Sequence, residues 1–238
     1  MERRDFIGLC ASSCAASGLG FSVEALASAE VRPRAYERTL LTDSTGRPLL
    51  AKQLAVGENY VFHYPFEATP CFLLNLGKPT PQNVALKTRD GGTYQWPGGV
   101  GPQRAIVAYS AICSHQLTYP TRQISFISYR ERSTAPQGGR LNMIHCCSEH
   151  SEYDPAAGAM VMGGPAPQPL SAILLDYDAA TGQIHAPGTL GVEMVNQFFS
   201  KFEMRLALEH GGSKARQRVG NRATVSPLAQ FCKQQVKC

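Results

Sequence analysis

The chain has 238 residues with 23 Lys/Arg, 18 Asp/Glu and 43% hydrophobic residues, enough for one domain with a sizeable core. The net charge of +5 is unevenly placed: residues 30–200 hold 13 basic and 13 acidic side chains, residues 201–238 eight and two. A basic excess confined to one end reads as a solvated tail or a device for steering an acidic partner, and excludes a strongly charged core domain.

In chain order, Met1-Glu2-Arg3-Arg4-Asp5-Phe6-Ile7 opens like a twin-arginine export signal. An uncharged stretch from Ile7 to Phe21 comes next, and Ala27-Ser28-Ala29 offers cleavage before Glu30. This predicts a periplasmic protein exported already folded, which places it away from nucleic acid. The apolar stretch falls short of the roughly 20 residues that span a bilayer, so it tethers the protein only if left uncleaved. Glu30 to Pro48 reads as an irregular lead-in. Strands are then predicted over 60–64, 71–76, 104–113, 123–130, 140–146, 172–177 and 183–186, short runs rich in Ile, Val, Phe and Tyr between Gly/Pro punctuation. Residues 78–101, with Pro79, Pro81, Pro97 and five glycines, read as a long loop, and Asp178–Gly182 as a hairpin turn. Val195, Phe198, Phe199, Phe202 and Leu206 define an amphipathic helix over 194–208, its stripe expected to pack on its own domain. Beyond Gly211-Gly212 the chain reads as disordered until Cys232 and Cys238, which are near enough in sequence to close a small disulfide.

The chemistry lies in two short boxes. Cys113-Ser114-His115 and Cys147-Ser148-Glu149-His150 each place a thiol and an imidazole in turn-forming sequence directly after a predicted strand. Two thiolates and two imidazoles suit a [2Fe–2S] centre in which Cys113 and Cys147 hold one iron and His115 and His150 the other. Zinc accepts the same set, and a Cys113–Cys147 disulfide with idle histidines is open to an exported chain. The residues downstream of the second box favour iron–sulfur: Tyr153-Asp154, then Gly163-Gly164-Pro165-Ala166-Pro167 and Leu170. With these residues the chain resembles the Rieske family. The resemblance implies an all-β fold, a Rieske-type antiparallel β-sandwich with a small cluster-binding subdomain, here over residues 30–193. Residues 194–238 add the C-terminal helix and basic tail. It also implies that Tyr153 donates a hydrogen bond to a ligand sulfur, with Ser151 a weaker candidate for the same role.

Over residues 58–190 the chain is most similar to the small, Rieske subunit of arsenite oxidase. The resemblance rests on Phe62-His63-Tyr64-Pro65, Pro70-Cys71, Leu76-Gly77, Gly98-Gly99-Val100-Gly101-Pro102 and Ile106-Val107-Ala108-Tyr109-Ser110. It implies electron transfer from a molybdenum-containing catalytic subunit to a periplasmic c-type cytochrome or copper protein. The alternatives are the iron–sulfur subunit of a quinol-oxidising membrane complex, and a binding module that kept the fold without the cluster. An oxygenase is set aside, since after His150 only His185 and His210 remain for a second iron site. The departures from the family are specific. Gln116-Leu117-Thr118 and Glu149 leave no cysteines for a disulfide between the boxes, and the spacer of 31 residues from His115 to Cys147 is long. Counting back from Asp154 without a gap selects Cys146 as the ligand; the two-residue gap to His150 selects Cys147, and Cys147 is the expectation carried forward.

Overall fold

The computed structural model describes residues 30–131 and 140–238. The expected export signal and most of the polar insert within Tyr129–Arg140 lie outside them. Among the described residues no helix is long and apolar enough to cross a membrane.

Among the described residues sixteen short strands dominate. The first seven are β1 (Arg34–Thr42), β2 (Tyr60–His63), β3 (Pro70–Asn75), β4 (Val84–Lys87), β5 (Thr93–Trp96), β6 (Ile106–Ser110) and β7 (Ile124–Ser125). Then come β8 (Ile127–Arg130), β9 (Met143–Cys146), β10 (Ser151–Asp154), β11 (Met160–Gly163), β12 (Ala172–Tyr177) and β13 (Ile184–Leu190). The tail adds helices α1 (Val195–Lys201) and α2 (Glu203–His210), strands β14 (Arg222–Thr224) and β15 (Ser226–Pro227), helix α3 (Leu228–Phe231) and β16 (Gln234–Gln235).

An eight-stranded sheet runs β14-β1-β13-β12-β6-β3-β2-β15, antiparallel except between β1 and β14. Its outermost strands are separated in sequence by Val225 alone, so the sheet curls until its edges approach. Both faces are buried, and the side chains alternate between two cores as the pleat requires. Phe62, Cys71, Leu73, Ile106 and Ala108 fill the concave side with Leu41 and Val225. Val61, Phe72, Leu74, Val107 and Tyr109 face the other way. That burial on both faces is why β3 and β6 read as continuous apolar runs.

The second face carries a smaller antiparallel sheet, β11-β10-β9-β8. Ile127, Tyr129, Ile144, Cys146 and Tyr153 pack from it onto Phe72, Val107 and Tyr109. The Tyr109 hydroxyl donates to the Pro155 carbonyl at 2.7 Å, pinning the two layers together. The architecture is therefore all-β with a small second sheet and a C-terminal helical segment.

Each predicted strand is present, 123–130 being divided at Phe126 into β7 and β8. Three expectations differ. The lead-in holds β1, which pairs with both β13 and β14. The Pro/Gly-rich loop holds the β4–β5 hairpin, whose Leu86, Tyr94 and Trp96 belong to the core. The tail after Gly211 is ordered: β14 and β15 close the main sheet, and β16 pairs with β7. The amphipathic stripe does pack on its own domain, but as two helices broken at Phe202. Phe198, Phe199 and Leu206 bury against Ile112, Leu117 and Tyr119, each worth roughly 1.5–3 kcal/mol of transfer free energy.

Candidate metal centre

The first box leaves β6 and turns tightly, with Cys113 N–H donating to Thr118 O at 2.8 Å and Leu117 N–H to Cys113 O at 2.9 Å. Cys113 and Ser114 are buried. The Ser114 hydroxyl donates to Gln168 O at 2.7 Å, which ties this loop to the end of the Gly-Pro segment.

The second box is a hairpin tip. Cys146 on β9 pairs with Ser151 on β10, leaving Cys147–His150 as the connection. Strand alternation decides which neighbouring cysteine faces inward. Cys146 shares the buried face with Ile144 and, across the pair, Tyr153. Cys147 points away and forms a disulfide with Cys238, Cα to Cα 5.5 Å. The expected division is thus reversed: the Cys147 sulfur is bonded to the C-terminal residue, and the free thiol facing Cys113 is that of Cys146. The expected Cys232–Cys238 disulfide is likewise corrected, since Cys232 is a free, buried thiol. The ungapped count from Asp154 and the Ile144–Cys146 alternation were the sequence signals for Cys146.

Cys113 and Cys146 are hydrogen-bonded to each other. The hydrogen bond from Cys146 holds the Cys113 thiol down to about 6 against the cost of burial, aided by Tyr153 and by the backbone N–H groups of His115 and Gln116. Cys146 is raised in turn, first by that shared proton and then by burial, while the N–H groups of Ser148 and Glu149 fold back on its sulfur. The Tyr153 hydroxyl lies 3.2 Å from Cys113 Sγ and 3.2 Å from Ser114 Oγ. Burial raises the Tyr153 hydroxyl above its usual range, so it stays protonated and able to donate.

At these two loops two buried atoms, His115 Nδ1 and Ser151 Oγ, lack hydrogen-bond partners among the described residues. An orphaned buried nitrogen two residues after one thiol, and an orphaned hydroxyl five residues after the other, leave polar atoms near the thiols that the protein itself does not satisfy. His150 is exposed and takes the left-handed backbone, φ 56°. His145 is no candidate ligand, since its Nε2 lies 3.0 Å from Arg140 O. Among the described residues no three His, Cys, Asp or Glu side chains converge on one ion position.

Two devices that the sequence did not reveal hold the second loop. Gly164, φ 79°, backs onto it so closely that a Cβ would lie 2.6 Å from Ser151 Cα. Arg130 reaches across from β8, donating to Cys147 Sγ, Val236 O and Cys238 O, each at 2.7 Å. The guanidinium and the disulfide together strap the chain terminus onto the hairpin.

No protein-family model matches the chain. Among solved structures it is similar to the soluble domain of the Rieske protein II (soxF) from Sulfolobus acidocaldarius. The two are 29% identical over 65% of this chain and 78% of that one, with a TM-score of 0.43. The overlap is partial, and the functional reading rests on the residues of the two loops.

Proposed function

We propose that the protein is a Rieske-type [2Fe–2S] electron-transfer protein, acting as a subunit of, or carrier for, a redox enzyme in an oxidising compartment. The observation that carries the reading is the buried thiol pair Cys113/Cys146, joined by Tyr153 on one sulfur and by unpartnered His115 Nδ1 and Ser151 Oγ. These residues fit a two-iron group. Cys113 and Cys146 would hold the inner iron as thiolates, and His115 the outer iron with a side chain of the 147–150 tip. The group supplies one-electron chemistry at a potential raised by its nitrogen ligands, in the range of about −150 to +300 mV.

The chain's own residues set that potential. Tyr153 and the backbone N–H groups at residues 115, 116, 148 and 149 all direct positive dipole at the two sulfurs. Such donors favour the more negative, reduced state. Ser114 and Gln168 hold loop geometry without touching solvent. Export by the twin-arginine route is supported by the N-terminal pattern and by the Cys147–Cys238 disulfide, a bond that oxidising compartments preserve. The arsenite-oxidase-like reading adds a molybdenum-containing subunit as donor and a periplasmic cytochrome or copper protein as acceptor. It is supported by the 58–110 words of the sequence.

The test is low-temperature electron paramagnetic resonance on dithionite-reduced protein with iron quantified. A rhombic Rieske-type signal with about two irons per chain is expected for wild type and for Cys147→Ser, and none for Cys146→Ser. Stoichiometric zinc, or no metal, would overturn the reading in favour of a cluster-less binding module. Loss of the signal in Cys147→Ser with retention in Cys146→Ser would reverse the ligand assignment.

A further inference from the structure

Resting on the proposed electron-transfer reading for its purpose, we infer that the outer face of α2, with the basic tail that follows it, is the docking surface for an acidic partner protein.

The two sides of α2 differ in character. Leu206 is buried with Phe198, Phe199 and Ala215 behind the first loop. Met204 and Leu208 lie one helical turn apart, and so on one stripe. They are 84% and 86% exposed, the barest large apolar side chains among the described residues. An adjacent apolar pair left in water gains by contact with another surface. Arg205, also exposed, shares their stripe.

Charge decides what kind of surface fits. After Glu209 the chain holds six basic residues, Lys214, Arg216, Arg218, Arg222, Lys233 and Lys237, and no acidic one. None of the six forms an ion pair among the described residues. Lys214 and Arg216 are exposed on either side of buried Ala215, and the Arg216 guanidinium lies 4.5 Å from the Phe199 ring centroid, so both flank the α1–α2 unit. The two acids of α2 leave this charge standing. Glu209 is bonded to Arg205 at 2.8 Å and accepts from the Tyr119 hydroxyl. Glu203 lies about 100° or more round the helix from Met204 and Leu208. A small apolar patch beside uncompensated positive charge complements an acidic rim with an apolar centre. A second copy of the chain carries the same positive excess and is repelled.

The face also adjoins the candidate centre. Lys201, the last residue of α1, donates to Gln116 O at 2.8 Å, and Gln116 directly follows His115. A partner seated on α2 therefore meets the first loop, as short-range electron transfer requires.

The experiment is biolayer interferometry of the full chain against two immobilised probes of opposite charge, the acidic copper protein plastocyanin and a basic cytochrome c. Binding to plastocyanin at low ionic strength is expected, lost in about 0.5 M salt, with none to the basic probe. Met204→Ser with Leu208→Ser, and separately Lys214→Glu with Arg216→Glu, should each weaken it about tenfold; circular dichroism checks that these exposed changes leave the fold intact. No binding to plastocyanin, or binding that neither double variant weakens, would overturn the inference. So would variant-sensitive binding to phosphatidylglycerol vesicles in place of plastocyanin, which would make the face a membrane surface, or a dimer in sedimentation that the Met204/Leu208 variant disperses. Because docking needs only the folded chain, it is read independently of the centre. A chain without cluster that still binds through this face would overturn the electron-transfer reading and keep the docking surface. A cluster-loaded chain that fails to bind would do the reverse.

Discussion

The two loops that face each other at the candidate centre are held by opposite means. The first, Cys113–Thr118, is braced from behind by ordinary packing. Ile112 and Leu117 sit in a small core with Phe198, Phe199 and Leu206, Ser114 is bonded to Gln168, and Lys201 reaches Gln116 O at 2.8 Å. The second, Cys147–His150, has little behind it; residues 148–150 are exposed. Its order comes from a covalent strap to the last residue of the chain, from Arg130, and from the close approach of Gly164. Tyr153 belongs to the second loop's strand but serves both, since its hydroxyl contacts Cys113 and Ser114. A hairpin tip cannot bury enough apolar surface to fix itself, so rigidity has to be imported by a cross-link.

The largest expected effect separates the loops directly. The Cys147–Cys238 bond closes 91 residues of chain, so Cys238→Ser should cost roughly 3–4 kcal/mol of unfolding free energy. Native-state hydrogen exchange should rise at residues 147–151 and 234–238 and stay unchanged at 113–118. Equal loss of protection in both loops would mean that the strap supports the whole domain and that the contrast is wrong.

Acid probes the seam where the exit of the first loop meets the tail. His63 is closely surrounded by protein beside His210, Arg122 and Phe231. Burial first, then His210 and Arg122, hold it down to about 4 from an ordinary 6.5. A histidine that resists protonation when folded contributes stability in full above about pH 6.5. That contribution falls as pH drops from 6.5 towards 4, by up to about 3 kcal/mol. His63→Gln should flatten this part of a urea-stability profile between pH 7 and 4; an unaltered slope would place the acid sensitivity elsewhere.

Tyr153→Phe gives the smallest change. Removing one donor from Cys113 Sγ should lower the reduction potential by roughly 40 mV, the one-electron equivalent of about 1 kcal/mol. Protein-film voltammetry at constant pH measures it. An unchanged potential would take Tyr153 out of the tuning, leaving it a packing residue between the loops.

Much of the fold was legible in the residues. Alternating and continuous apolar runs marked the strands of both main cores, Asp178–Gly182 turned as its residues require, and the Phe-rich stripe buried where its spacing pointed. What was missed had contrary local signals. Thr93-Tyr94-Gln95-Trp96 alternates cleanly, yet surrounding Pro and Gly made it read as loop. The polar tail lacks a strand-like pattern because β14, β15 and β16 contribute two or three residues each and borrow their partners from distant strands. The residues alone pointed to chemistry on two loops after strands, with Cys113, His115 and Tyr153 as its members and a Gly-Pro segment beside them. Residue type and short spacing suffice for that. Which of two adjacent cysteines turns inward, and where the other finds its partner, was settled by the folded chain. Adjacent side chains on a strand point to opposite faces, and a partner 91 residues away is brought near by the folded sheet and by nothing local.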